Sequence, residues 1–89
     1  MSSPSDSFAC AIKRRTYLEA VTGFSRSTIY LRISQGLLPP SVPLGARAVG
    51  WPQAEIEAIN RARVAGVNDE ALRALVIELV AERTAGGAR

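Results

Sequence analysis

Between Gly23 and Gly36 the chain reads Phe-Ser-Arg-Ser-Thr-Ile-Tyr-Leu-Arg-Ile-Ser-Gln, and the way this segment begins constrains everything around it. Ser25 is a helix N-cap residue, whose hydroxyl can accept from the unpaired amides of the first turn. Phe24 precedes it and Ile29 falls at the fourth helical position. That is the spacing of a hydrophobic staple, which sets the angle at which the chain enters the helix. Ile29 and Ile33, four apart, continue a buried stripe, and Gly36 closes the helix. Immediately upstream, the pattern predicts a short helix over Tyr17 to Thr22. Thr16 is placed to cap it, Glu19 to complete a capping box, Leu18 and Val21 to form its apolar side, and Gly23 to end it. Two short helices joined by a tight glycine turn make a helix-turn-helix.

Downstream the pattern changes. Pro39, Pro40 and Pro43 forbid a helix, and Val42, Leu44, Ala48 and Val49 flank the turn-prone Gly45-Ala46-Arg47. This predicts a small β-hairpin, a wing, with Arg47 at or near its tip. Trp51 is the single tryptophan, placed to anchor the wing to the core; contact with a base is the other role open to it. Pro52 suits the first turn of a third helix, with Ile56, Ile59, Ala62 and Ala65 on one side and Gly66 at its end. Asn68 or Asp69 caps a fourth helix through about Arg83, before a frayed end over Gly86 to Arg89. Its stripe of Leu72, Leu75, Val76, Ile77, Leu79 and Val80 is wider than one packing partner needs. It can complete the core or offer a surface for self-association. The fold expected is mainly α with a β-hairpin wing: a disordered tail over residues 1–11, a winged helix-turn-helix over 12–66, and a C-terminal helix with a frayed tail over 67–89.

The inventory argues against catalysis. None of the 89 residues is histidine, so the commonest general base and metal ligand is missing. The two Asp and six Glu form no metal-ligand spacing, and no phosphate-binding glycine loop occurs. Neither a cofactor nor a metal is expected. Cys10 is alone, so no internal disulfide forms. No apolar run approaches the roughly 18 residues a membrane span needs, and the first residues lack the pattern of a secretory signal. A cytoplasmic protein with no membrane partner is the expectation.

Charge points to duplex DNA. Residues 1–51 carry six basic against two acidic side chains, whereas residues 52–89 carry five against six. Ten of the eleven basic residues are arginine, whose planar fork suits phosphates and guanine edges. On the second helix of the motif, Arg26, Ser27 and Thr28 lie at the N-terminal end, which usually enters the major groove. Arg26 can pair with a guanine edge or a phosphate. Ser25, Ser27 and Thr28 can reach phosphate or base, although Thr28 can equally serve only to cap the helix. Tyr30 can donate its hydroxyl to the backbone or cover the core with its ring. Arg47 on the wing can enter a minor groove. Lys13, Arg14 and Arg15, just ahead of the first helix, suit nonspecific phosphate contact.

Three blocks carry a likeness to a known family: Gly23-Phe24-Ser25-Arg26-Ser27-Thr28-Ile29-Tyr30, Gly36-Leu37-Leu38-Pro39, and Leu44-Gly45-Ala46-Arg47-Ala48-Val49-Gly50-Trp51. Over roughly residues 15–60 the chain resembles the AlpA family of phage and mobile-element regulators, which look like the winged DNA-binding domains of MerR regulators. The resemblance implies an excisionase (a recombination directionality factor) for a tyrosine integrase, a transcription activator or repressor of mobile-element genes, or both. It places Arg26, Ser27, Thr28 and Tyr30 on the recognition helix and Arg47 on the wing. Family members usually carry a basic residue where Leu31 stands and an apolar one where Arg32 stands. They also often carry basic residues where Leu37, Pro40 and Pro43 stand, so this wing is poorer in phosphate contacts. The partners expected are double-stranded DNA, further copies of the chain on that DNA, and a tyrosine integrase. A protein-interaction adaptor that uses the helix-turn-helix only as a scaffold is the reading from another class.

Overall fold

The computed structural model describes residues 11–87, with side chains through residue 83; Cys10, most of the expected tail, Ala88 and Arg89 lie outside the described residues. In chain order the elements are β1 (Ile12–Lys13), α1 (Arg15–Thr22), α2 (Arg26–Ser34), β2 (Val42–Pro43), β3 (Val49–Pro52), α3 (Gln53–Val64) and α4 (Asp69–Gly87). Four helices and a small antiparallel sheet give the mainly α architecture with a wing that the sequence leads one to expect.

The expected start of α2 is present. The Ser25 hydroxyl oxygen accepts from the Thr28 amide at 3.3 Å, and Ile29 is fully buried. Gly23, just past α1, has φ of 79°, a left-handed conformation that costs glycine least. The start of α1 differs from expectation. The helix begins at Arg15, Arg14 is its extended cap residue, and no side chain caps it. Thr16 is therefore inside the helix, no capping box forms, and Glu19 turns to Arg15 at 2.8 Å instead. Val21 is also exposed, leaving Leu18 as the buried contact of α1.

The reason α1 begins early is a strand formed just ahead of it. β1 pairs antiparallel with β3 (Ile12 opposite Pro52, Lys13 opposite Trp51), and the Gln53 amide donates to the Ala11 carbonyl at 2.8 Å. β3 is thus central, with β2 on its other side in the register Val42 to Gly50 and Pro43 to Val49. The Leu44 amide donates to the Ala48 carbonyl at 2.7 Å and closes the wing tip over Gly45, Ala46 and Arg47. At Gly50 the three strands crowd together. A Cβ there would lie 2.6 Å from Ile12 Cγ2, 2.9 Å from Leu44 Cδ1 and 3.0 Å from the Lys13 carbonyl oxygen. Gly50→Ala is accordingly expected to destabilise the domain by about 1–3 kcal/mol through overpacking. Urea unfolding checks this, and an unchanged midpoint would contradict the packing described.

Trp51 is fully buried and its indole Nε1 donates to the Pro39 carbonyl at 3.0 Å, so it anchors the wing and is not free to touch a base. Around it lie Leu18, Ile29, Leu37, Leu38, Ile56 and Ile59. α4 joins the same cluster through Leu72 and Val76, with Leu75, Leu79 and Val80 packed partly against it. Most of the wide apolar stripe is therefore used internally, and Ile77 is left outside. The Asn68 side-chain oxygen caps α4 by accepting from the Ala71 amide at 2.9 Å, and the helix continues through the glycines expected to fray.

Two arginines of α4 hold the connection between α2 and the wing. Arg73 Nε donates to the Gln35 carbonyl at 2.8 Å. Arg83 makes a two-pronged pair with the buried carboxylate of Glu55, at 2.8 and 2.6 Å, and also reaches the Pro40 carbonyl at 2.8 Å. A buried pair of this kind gives little net stability, yet losing one partner leaves an uncompensated charge that costs about 3–5 kcal/mol. Its role here is to fix where α4 lies.

Candidate nucleic-acid interface

α2 divides cleanly along its length. Arg26, Ser27, Tyr30, Leu31 and Ser34 are exposed, whereas Thr28, Ile29, Arg32 and Ile33 are half-buried or buried. Residues four apart share a face of a helix, so Arg26-Tyr30-Ser34 and Ser27-Leu31 form two adjacent outward rows. Leu31 is 54% exposed, which places an apolar side chain among polar ones on the outer face.

Beside the outer face is a concave cleft of about 460 Å³ lined by Arg14, Arg15, Thr16, Tyr30, Arg47 and Val49. It draws on the start of α1, the middle of α2 and the wing. Arg14, Arg15, Tyr30 and Arg47, which are scattered over thirty-four positions of sequence, are thus brought together. Thr16 and Val49 line the same cleft without any sequence signal: Thr16 reads as a cap and Val49 as a strand residue. Both carry their place only through the fold.

The cationic groups are not equivalent. Arg14, Arg26 and Arg47 are exposed and make no ion pair or side-chain hydrogen bond among the described residues. Arg15 is held by Glu19. That hydrogen bond raises its guanidinium further above the ordinary arginine value, against the opposing effect of desolvation, and the nearby Tyr30 hydroxyl acts in the same direction as Glu19. Arg15 stays charged, with the Glu19 carboxylate as its partner. Lys13 lies 5.4 Å over the Tyr17 ring and lines no part of the cleft.

The remaining expected residues form the front end of α2. Ser25 serves as the cap and its hydroxyl donates to Thr28 Oγ1 at 3.0 Å, while Ser27 Oγ lies 3.4 Å away. Thr28 is therefore engaged within the cap, and Arg26 and Ser27 are the freer groups. Arg32 lies over the Phe24 ring at 4.7 Å, with its buried Nε left without a hydrogen-bond partner among the described residues. Arg63 lies over the same ring at 4.4 Å. Arg32 lies about two turns along the helix that Phe24 leads into, whereas Arg63 comes from α3, a meeting that exists only in the folded chain.

Among the described residues no group of His, Cys, Asp and Glu could hold a metal ion, and no helix is long and apolar enough to cross a membrane.

A capped helix with a polar outer face, set against a three-stranded sheet whose hairpin carries an arginine at its tip, defines a winged helix-turn-helix protein. Within that class, the chain belongs to the family of prophage regulatory proteins described as Prophage CP4-57 regulatory protein (AlpA), whose profile matches residues 11–63. The matched span takes in the sheet, the helix-turn-helix and nearly all of α3, and stops before α4. The chain is also 48% identical over 44 residues to Uncharacterized protein ORF88 of Enterobacteria phage P4. That match covers 49% of this chain and 50% of the phage protein, so it spans half the length of the curated relative. No solved structure matches the chain.

Proposed function

We propose that the protein binds double-stranded DNA with α2 in the major groove and Arg47 in an adjacent minor groove or on a phosphate. On DNA it acts as an excisionase, occupying attachment-site DNA in several copies, bending it and directing a tyrosine integrase toward excision. The observation that carries the binding reading is the convergence of Arg14, Arg15 and Arg47 with Tyr30 on one cleft beside the outer face of α2. Arg26 and Ser27 then face base edges, and Leu31 can meet a thymine methyl.

The number of cations supports occupancy by several copies. With Arg14, Arg15, Arg26 and Arg47 on phosphates or bases, a lone copy has a salt slope of about −3.6, and its affinity falls about a hundredfold between roughly 50 and 200 mM salt. Such binding is weak by itself, so neighbouring copies must reinforce one another. Bent DNA gives an architectural protein its effect by bringing distant segments together.

A second reading, control of transcription at a promoter of the mobile element, is favoured by the description of the family as regulatory. Gel-shift and circular-permutation bending assays on attachment-site fragments, with promoter fragments alongside, separate the two. Excisionase action predicts ladders of successive complexes with a bend of tens of degrees on attachment-site DNA. A single unbent complex there, with strong binding at the promoter, would decide for transcription control.

A further inference from the structure

We infer that Glu19 is a positioning residue of the DNA interface: by holding Nε of Arg15 it presents the free edge of that guanidinium to the cleft, where it takes a backbone phosphate. The inference rests on the DNA-binding reading and gives a role in it to a residue outside the cleft. Arg15 lines the cleft and Glu19 does not, so Glu19 acts only through its partner.

A guanidinium carries N–H groups on Nε and on both terminal nitrogens, all in one plane. Two carboxylates of this protein use that plane differently. Glu55 grips Arg83 by Nε and Nη2, at 2.8 and 2.6 Å, and the Pro40 carbonyl takes Nη2 as well. That guanidinium is committed to the fold. Glu19 holds Arg15 by Nε, at 2.8 Å. The edge formed by the two terminal nitrogens is left for a ligand, and its parallel donors match two oxygens of a phosphate. Tyr30, which lines the same cleft, helps to hold Arg15 in its charged form.

The pair exists because of where α1 starts. β1 docks on β3 and brings in Arg15 as the first residue of the helix, about one turn from Glu19. A long side chain loses rotamer freedom when a ligand pins it, and fixing it in advance removes part of that cost. Arg14 and Arg47, on the same cleft, have no carboxylate partner among the described residues. Arg15 is therefore the prearranged cation of the three. Its side chain is 36% exposed, open enough for a ligand to reach.

The test sets charge against position. A carboxylate near DNA repels it, so if charge alone mattered, Glu19→Gln and Glu19→Ala would both bind more tightly than the wild type. Positioning predicts another order, because glutamine keeps an acceptor for Nε and alanine does not. Fluorescence anisotropy with an attachment-site duplex, at about 0.1 M salt to screen distant repulsion, compares the variants. The expected result is affinity equal to or better than wild type for Glu19→Gln, and a loss of about threefold to tenfold for Glu19→Ala. In an Arg15→Ala background there is nothing to orient, and Glu19→Ala should then cost no affinity. A partly exposed pair of this kind gives little stability, so all the variants should melt close to the wild type by circular dichroism. Equal affinities for the glutamine and alanine variants, or tighter binding by Glu19→Ala, overturn the assignment. So does a loss in Glu19→Ala that persists without Arg15. In each of those cases the wild type still binds and the DNA-binding reading stands. A wild-type protein that ignores the duplex even at low salt removes that reading, and the role of Glu19 with it.

Discussion

Trp51→Ala is expected to remove most of the stability of the domain. The side chain is fully buried at the meeting point of β3, α1, α2 and α3, within a core whose other members are aliphatic. Truncating a buried tryptophan costs about 3–5 kcal/mol in lost burial and residual cavity. The Pro39 carbonyl would also lose its donor, adding about 1–3 kcal/mol if water does not replace it. Against a total of about 5–15 kcal/mol for an ordinary domain, toward the lower end for one this small, little would remain. Thermal melting followed by far-ultraviolet circular dichroism is the suitable measurement, since the variant lacks the only tryptophan fluorophore. Trp51→Phe keeps most of the apolar volume and loses the hydrogen bond, so it should fall between the two. A melting temperature for Trp51→Ala within a few degrees of wild type would mean that the wing is not anchored as described.

Removing Arg14, Arg26 and Arg47 together is expected to abolish useful DNA affinity while leaving the fold intact. All three are exposed and make no ion pair or side-chain hydrogen bond among the described residues, so their replacement by alanine removes charge rather than packing. Each arginine on a phosphate contributes about one unit of salt slope. The triple variant should therefore fall from a slope of about −3.6 to about −0.9 and bind roughly a hundredfold to a thousandfold more weakly at low salt. Arg15 alone would remain, with its Nε held by Glu19. Fluorescence anisotropy at several salt concentrations measures slope and affinity together. Full affinity with an unchanged slope would remove the groove-facing role of α2 and favour a scaffold for protein contacts.

The parts of this fold that could be read from sequence are those whose causes are local. Ser25 caps α2 and Asn68 caps α4 because a short polar side chain reaches an amide three residues on, wherever the rest of the chain lies. Gly23, Gly36 and Gly66 all adopt positive φ where a helix ends, a property of glycine itself. The misreading at Thr16 shows the limit of such reasoning. A capping box was chemically available, yet β1 docks on β3 and delivers the chain into α1 two residues earlier, so Glu19 finds Arg15 instead.

The site divides in the same way. The outward rows of α2 follow from a four-residue spacing, and so Arg26, Ser27 and Tyr30 were identifiable in advance. The meeting of Arg14, Arg15, Thr16, Arg47 and Val49 on one cleft depends on a hairpin folding against β1, and no local pattern encodes that distance. Nor does any pattern announce Arg83 on Glu55, twenty-eight positions away, although this pair and Arg73 on Gln35 hold α4 against the exit of α2.

Sequence alone therefore determined where α2 and α4 start and where α1, α2 and α3 stop, which face of α2 is apolar, and that the chain's positive charge lies in its first half. Only the tertiary structure decided that the wide stripe of α4 is spent on the core, with Ile77 left outside, and which arginines remain free to meet a duplex. The reason is physical: caps and turns act over three or four residues, whereas burial and ion pairing are properties of surfaces that exist only once distant segments have met.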